Sequence, residues 1–116
     1  MITKINSDAT IFRLLPERRA WKELNYENLK WNTELLKSLL PDTCTFMAVV
    51  KADAYGHGAI PVASCLNRIG IRAFAVATLA EAIELRRHKI QGEILILGYT
   101  PPQNASLLVI HDLTQT

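Results

Sequence analysis

Residues 49–58 read VVKADAYGHG and join an apolar run to a turn that is interrupted by two glycines. The run that ends here, TFMAVV at residues 45–50, has the length and the continuous apolar character of a strand covered on both faces. Lys51 follows directly, and Pro61 suits the first turn of a helix beyond the glycines. The stretch therefore predicts a junction between a buried strand and a helix, with a lysine where the strand ends.

Outward from this junction, strand-like and helix-like patterns alternate along the chain. The predicted strands are TFMAVV, AFAVA at residues 73–77 and EILILG at residues 93–98, with LTQT at residues 113–116 as the start of a fourth. The predicted helices begin at the N-cap Asn25, after Gly58, at the capping box of Thr78 and Glu81, and near Asn104. This alternation of single strands and single helices predicts right-handed βαβ units in an α/β fold with a parallel sheet.

Two architectures fit this order of elements: an open, doubly wound sheet and part of a closed (β/α)8 TIM barrel. A barrel normally needs about 250 residues, whereas this chain has 116. On the barrel interpretation the chain holds about the first three to four strands, with unpaired parallel edges that would pair with further polypeptide. Residues 1–20 show no steady period and are interpreted as a lead-in or linker, and residues 21–116 as the sheet-forming part.

The composition is that of an ordinary globular domain, with 49% hydrophobic and 21% charged residues. A formal net charge of +2, spread without a dense basic block, does not indicate a nucleic-acid partner. The chain has no run of about 18 apolar residues and no signal-peptide pattern, so we expect no membrane segment and a cytoplasmic location. Cys44 and Cys65 lack any CxxC spacing and lie beside apolar residues, so both are expected to be buried free thiols.

Lys51 is the leading candidate for chemistry, because active sites in both parallel architectures lie at the carboxyl ends of the strands. Strand ends partly desolvate a lysine, and desolvation favours the neutral amine, which can attack an aldehyde and form a Schiff base. Pyridoxal phosphate (PLP) is the commonest aldehyde of this kind. The alternative is a lysine that extends to solvent and pairs with Asp53.

The stretch VVKADAYGHG matches at every position the signature of the PLP-dependent alanine racemases, and the chain resembles that family over roughly residues 19–116. Three further segments carry the resemblance: RAWKELNYENLKWN (19–32), FAVATLAEAIELR (74–86) and ILILGYTPP (94–102). The resemblance implies a (β/α)8 barrel of PLP fold-type III, followed by a β-rich domain, in an enzyme that works as a homodimer. It therefore favours the barrel over the doubly wound sheet.

The resemblance also implies roles for four residues. Lys51 would bind the cofactor covalently and, once released by the substrate, exchange the α-proton on one face of the substrate. Tyr55 would reach the cofactor phosphate with its hydroxyl, and Val49 and Leu97 would lie near the cofactor ring. The substrate would be alanine or a similarly small amino acid such as serine, and the product would supply D-amino acid for bacterial cell-wall peptidoglycan.

The family's other functional groups are not found in these 116 residues. In the family, a tyrosine from the second domain of the other subunit serves the opposite face of the substrate, and an arginine faces the pyridine nitrogen. We therefore expect this chain to be the N-terminal part of a longer racemase and to be inactive alone. Its long lead-in resembles the cytosolic racemase half of the membrane-anchored serine racemases of vancomycin resistance.

Other interpretations of these residues remain open. A related barrel of the decarboxylase or PLP-storage type also binds the cofactor through a lysine, and a non-catalytic chain could serve only in assembly. Tyr55 by itself is compatible with an aromatic at the edge of the core. His57 has no second histidine or cysteine at ligand spacing, which favours a structural hydrogen bond, so no metal site is predicted.

Overall fold

The computed structural model describes residues 2–4 and 20–116, and this part of the chain contains two sheets. The strands are β1 (Ile2–Lys4), β2 (Glu23–Asn25), β3 (Ala48–Val49), β4 (Ala73–Val76), β5 (Glu93–Ile96) and β6 (Thr114–Gln115). The helical segments are α1 (Tyr26–Ser38), α2 (Lys51–Tyr55), α3 (Ala59–Arg68), α4 (Leu79–Arg87) and α5 (Ala105–Ile110), with a 3₁₀ turn at Pro102–Asn104 before α5.

Strands β3 to β6 form a parallel sheet in which neighbours in the sheet are also neighbours in the chain. Right-handed crossovers in this order bring α3, α4 and α5 to the same face of the sheet. A doubly wound sheet instead reverses its strand order and carries helices on both faces. The structure therefore confirms the predicted α/β class and the parallel strands, and it agrees with the first part of a TIM barrel.

The face of this sheet that packs against the helices is the hydrophobic core of the described part of the chain. Its fully buried side chains come from alternate positions of β4 and β5 and from α4: Phe74, Val76, Leu85, Ile94 and Ile96. Burying one side chain of this size stabilises a fold by about 1.5–3 kcal/mol. The core therefore fixes the positions of the strand ends, where the candidate residues lie.

The opposite face of the sheet is only partly covered within the described residues. Val49 at the end of β3 is 43% exposed, and Leu97, directly after β5, is 44% exposed. Leu95 is half-buried, whereas its chain neighbours Ile94 and Ile96 are completely buried. Because side chains alternate between the two faces of a strand, this uncovered face carries the apolar row that a closed barrel would place in its interior.

Two of the predicted helix starts are confirmed in atomic detail. Asn25 precedes α1, and its Oδ1 accepts a 2.9 Å hydrogen bond from a backbone N–H of the first turn. Thr78 and Glu81 form the predicted capping box at the start of α4. The predicted strands are also present, but they are shorter than expected, since TFMAVV contributes only Ala48–Val49.

A second, antiparallel sheet joins β1 to β2, with Ile2 opposite Asn25 and Lys4 opposite Glu23. The sequence pattern alone predicts neither strand, because both are too short to show a period. Residues 5–19 lie outside the described residues. The interpretation of residues 1–20 as a lead-in or linker therefore stays a prediction.

The expectation for the cysteines is half right. Both are free, and Cys65 is buried in α3 as predicted, but Cys44 is exposed. The reason is that Cys44 belongs to the connection between α1 and β3, in which residues 41–45 are all exposed. Such connections run over the surface of a protein even where apolar residues follow them.

Gly92, directly before β5, offers a test of how closely this part of the chain approaches Arg72, directly before β4. It has a φ of 98°, and a Cβ at this position would collide with the Arg72 carbonyl group. We expect Gly92→Ala to lower the free energy of unfolding by roughly 2–4 kcal/mol, because it combines backbone strain with a steric clash. Urea denaturation followed by circular dichroism measures the loss.

The matched control is Gly70→Ala. Gly70 also has a positive φ, of 89°, but a Cβ there meets no atom within 4 Å. Its replacement should cost only the backbone strain, about 1–2 kcal/mol. Equal losses for the two variants would contradict the close approach of Gly92 to Arg72.

Candidate functional site

Lys51 begins a left-handed turn that links the end of β3 to α3. The four residues after it have φ values from 50° to 55° although none is glycine: Ala52, Asp53, Ala54 and Tyr55. The left-handed helical conformation costs an L-residue about 1–2 kcal/mol. Strain of this kind persists only where surrounding contacts fix the backbone, and it is concentrated at functional sites.

Hydrogen bonds close this turn at both ends. Ala54 N–H donates to the Val50 carbonyl at 2.9 Å, and Gly58 N–H donates to the Asp53 carbonyl at 2.8 Å. The His57 ring adds a contact in which Nδ1 lies 2.9 Å from the Ala54 carbonyl oxygen. Because a carbonyl oxygen can only accept, Nδ1 carries the proton, and the structural hydrogen bond predicted for His57 is confirmed.

Asp53 is bound by groups other than Lys51. Its Oδ1 accepts a 2.8 Å hydrogen bond from Ala59 N–H at the start of α3. Its Oδ2 lies 3.6 Å from Lys22 Nζ, and Lys22 also donates a 3.0 Å hydrogen bond to the Gly56 carbonyl. The alternative in which Lys51 pairs with Asp53 is therefore not what the structure shows.

Glu81 reaches the same turn from the first turn of α4, the helix that follows the neighbouring strand β4. Its Oε1 accepts a 2.8 Å hydrogen bond from the N–H of Ala52, the residue after Lys51. Its Oε2 accepts hydrogen bonds from Ala77 N–H at 2.7 Å and from Thr78 N–H at 3.1 Å. A single carboxylate thus fastens the connections that follow β3 and β4 to each other.

The amine of Lys51 takes no part in these contacts. Lys51 is half-buried at the carboxyl end of β3. Within residues 2–4 and 20–116, no hydrogen bond or ion pair involves its Nζ. The carboxylate of Asp53, within this turn, and that of Glu81, which binds the turn, accept hydrogen bonds from other donors. A lysine amine at a strand end without a carboxylate partner can act as a nucleophile or as a base.

The other predicted site residues lie at the same edge of the sheet. Val49 ends β3, and Leu97 follows β5, where its N–H donates a 2.9 Å hydrogen bond to the Val76 carbonyl. Tyr55 ends the left-handed turn and is 61% exposed, which leaves its hydroxyl accessible to a ligand. The structure thus places Val49, Lys51 and Leu97 at the carboxyl ends of the strands and Tyr55 at the end of the turn that follows β3. Their contacts with a cofactor stay predictions.

Two residues of the site were not assigned to it from the sequence. Lys22 bonds to a carbonyl 34 positions away, and Glu81 bonds to an N–H 29 positions away, so no local pattern could reveal either contact. The capping box was the one available signal, because it places Glu81 at the start of a helix beside the carboxyl edge of the sheet. Among the described residues, no group of three or more His, Cys, Asp or Glu side chains could hold a metal ion.

Comparison with known proteins identifies a family for this chain. Residues 24–116 match the family described as alanine racemase, N-terminal domain. An amino-acid racemase of Enterococcus faecalis is 48% identical over 98 residues, which cover 84% of this chain and 14% of that protein. An alanine racemase of Clostridium novyi (strain NT) is 43% identical over 99 residues, which cover 85% of this chain and 25% of that protein.

Solved structures give the same result. An alanine racemase of Clostridium difficile 630 superposes with a TM-score of 0.73 at 42% identity, over 77% of this chain and 24% of that one. An alanine racemase from Enterococcus faecalis superposes with a TM-score of 0.75 at 37% identity, over 79% of this chain and 25% of that one. The chain thus spans a quarter or less of the length of these relatives. In its described part, no helix has both the length and the apolar character needed to cross a bilayer.

Ala52 allows a direct test of the left-handed turn, because its side chain is exposed and a larger one would not collide with a core. A β-branched residue is a strong outlier at the φ of 50° found there. We expect Ala52→Val to lower the free energy of unfolding by roughly 2 kcal/mol. Urea denaturation measures the difference.

Ala80→Val is the control for this substitution, since Ala80 is exposed in the right-handed helix α4. There the same change costs only helix propensity, about 0.5–0.7 kcal/mol. If Ala52→Val costs no more than Ala80→Val, the backbone at residue 52 is not left-handed in solution.

Proposed function

Because the chain belongs to the alanine racemase N-terminal domain family, we propose that it forms the amino-terminal part of a PLP-dependent racemase. The proposal rests on one observation above all. The amine of Lys51 lies at the carboxyl edge of the sheet without a partner among the described residues, while the carboxylates of Asp53 and Glu81 are bound to other donors. Alanine is the substrate best supported, since the relatives include proteins named alanine racemase.

The residues present at this edge fit PLP as a ligand. The cofactor requires an amine that can bond to its aldehyde, an apolar surface for its ring and donors for its phosphate. Lys51 has the amine, Val49 and Leu97 have exposed apolar side chains, and Tyr55 has an exposed hydroxyl. When bound, PLP supplies a conjugated ring that delocalises the negative charge left at the substrate's α-carbon.

In this proposal Lys51 acts as the base on one face of the substrate. A neutral amine can accept the α-proton and return it to the same side. The left-handed turn holds the backbone from which the amine extends, so the base remains on one side of the substrate. Inversion also requires an acid on the opposite face, and we propose that the partner subunit of a homodimer supplies it.

The proposed physiological role is the supply of D-alanine for bacterial cell-wall peptidoglycan, with the enzyme in the cytoplasm. Both statements rest on the family and on the relatives named alanine racemase. Because the described residues include only part of the proposed site, we also propose that residues 1–116 need the remaining strands of the barrel for efficient racemisation.

A second candidate is an amino-acid racemase that carries an additional domain. The 98 residues matched in the Enterococcus faecalis amino-acid racemase are 14% of that protein. The 99 residues matched in the Clostridium novyi alanine racemase are 25% of that protein. The Enterococcus protein is therefore much longer than the Clostridium protein. This candidate would act on serine and carry a membrane anchor. Alanine and serine differ by one hydroxyl, which an apolar pocket separates by about a hundredfold. The ratio of kcat/KM for L-alanine and L-serine separates the two candidates.

Isotope exchange separates a racemase from the related lysine-dependent barrels. A racemase incorporates deuterium from D₂O at the substrate α-carbon and releases no CO₂. A decarboxylase releases CO₂, a cofactor-storage protein binds PLP and does neither, and a pure assembly chain takes up no PLP at Lys51.

Replacing Lys51 tests the proposed function directly. Lys51→Arg keeps the positive charge but removes the amine that can bond to an aldehyde or act as a base. In the complete protein that carries this chain, we expect α-proton exchange to fall by roughly 10²–10⁴-fold. Borohydride reduction in the presence of PLP, followed by peptide mass spectrometry, should place the pyridoxyl group on Lys51 in the wild type and remove it in the variant.

Lys89→Arg serves as the control, because Lys89 is exposed between α4 and β5, at the opposite end of the sheet. This variant should keep both the exchange rate and the labelled Lys51 peptide. A label spread over several lysines in the wild type, or unchanged exchange in Lys51→Arg, would refute the proposal.

A further inference from the structure

We propose that Glu81 is a positioning residue for Lys51: its carboxylate fixes the backbone from which the lysine amine extends towards the cofactor. The inference rests on the proposed function and adds to it a residue that never touches cofactor or substrate. The observation that supports this inference is that the two carboxylate oxygens of Glu81 bind different parts of the chain.

One oxygen of Glu81 accounts for the ordinary role of this residue. In a capping box, the glutamate carboxylate accepts a hydrogen bond from the N-cap N–H. Oε2 does this at Thr78, at 3.1 Å, and it also binds Ala77 N–H at 2.7 Å. The Thr78 hydroxyl completes the box by accepting from Glu81 N–H at 3.3 Å.

The other oxygen has no part in the capping box. Oε1 accepts a 2.8 Å hydrogen bond from Ala52 N–H, in the turn that follows a different strand. Ala52 is the first left-handed residue after Lys51, with a φ of 50°. Within the described residues, the partner of its N–H is Glu81. The contact therefore acts on the peptide unit that joins Lys51 to the left-handed turn.

The chemistry of the carboxylate suits this double task. Three N–H donors converge on its two oxygens, and a carboxylate only accepts. A glutamine at this position would offer one accepting oxygen and one NH₂ group, which is itself a donor. Glu81→Gln keeps two bonds if its oxygen stays at Ala77 and Thr78 and only one if its oxygen turns to Ala52, so we expect it to lose the bond to Ala52.

Release of the Ala52 N–H should change where the lysine amine lies. The turn would lose its contact with the neighbouring strand connection at the residue next to Lys51. A misplacement of about 1 Å in a reacting group can cost about a hundredfold in rate. We therefore expect Glu81→Gln to weaken the bond between Lys51 and PLP without removing any group that touches the cofactor.

The first measurement needs no cofactor. Hydrogen exchange of the complete protein without PLP should show a protected Ala52 amide in the wild type, although the turn is exposed. In Glu81→Gln, exchange at Ala52 should be faster by about tenfold or more. An unprotected Ala52 amide in the wild type would overturn the proposal without reference to any variant.

The second measurement titrates PLP and quantifies the labelled Lys51 peptide after borohydride reduction. The PLP concentration that half-saturates Lys51 should rise about 10–100-fold in Glu81→Gln. The control is Thr78→Val, which removes the hydroxyl of the capping box and leaves the carboxylate of Glu81 intact. Thr78→Val should lower the melting temperature but keep both the Ala52 protection and the half-saturating PLP concentration of the wild type.

The outcomes separate the positioning role from the function on which it rests. A wild-type protein that takes up no PLP at Lys51 overturns the function and the positioning role together. A labelled wild type with an equally well labelled Glu81→Gln overturns the positioning role alone. Equal effects of Glu81→Gln and Thr78→Val on Ala52 protection and on the half-saturating PLP concentration would also overturn it. Glu81 would then act only as part of the helix cap.

Discussion

The left-handed turn from Ala52 to Tyr55 is the constraint on which the rest of the site depends. Each of its four non-glycine residues is strained by about 1–2 kcal/mol, so the turn needs contacts from outside itself. The structure provides them through the Glu81 carboxylate, the Lys22 amine and Ala59 N–H, which donates to the Asp53 carboxylate. These groups lie in α4, directly before β2 and at the start of α3, so separate parts of the chain hold the turn that follows β3 in place.

The two faces of the parallel sheet differ in burial, and the candidate site residues Val49 and Leu97 lie on the less buried face. The face against the helices contains fully buried side chains such as Phe74 and Ile94, which hold the strands in register. The other face leaves Val49 and Leu97 partly exposed at the carboxyl edge, beside the turn that carries Lys51. Apolar surface next to an amine that has no partner among the described residues is the combination that the proposed PLP site would require.

Much of the fold could be predicted from the sequence, because it depends on local patterns. The spacing of apolar residues predicts the alternation of strands and helices. The polar side chains of Asn25 and Thr78 predict the caps of α1 and α4. Lys51 could be selected because it directly follows a predicted strand of a parallel sheet. The match of its neighbours to a family signature then suggested its chemistry.

The remainder of the site depends on contacts between distant parts of the chain. Glycine is the usual residue at positive φ, and the left-handed turn has none among its four residues. The local sequence therefore gives no indication of this conformation. The contact between Glu81 and Ala52 spans 29 positions, and a capping-box glutamate looks the same with or without it. The alternative in which Lys51 pairs with Asp53 was wrong for a related reason, since the partners of Asp53 are Ala59 N–H and the Lys22 amine, and Lys22 lies 31 positions away.

The most direct measurement is a crystal structure of the complete protein grown with PLP, at a resolution that defines the backbone of residues 51–55. The account predicts continuous density from Lys51 Nζ to the cofactor, left-handed backbone from Ala52 to Tyr55, and Glu81 within hydrogen-bond distance of Ala52 N–H. Density that joins the cofactor to another residue, or a right-handed turn after Lys51, would contradict it.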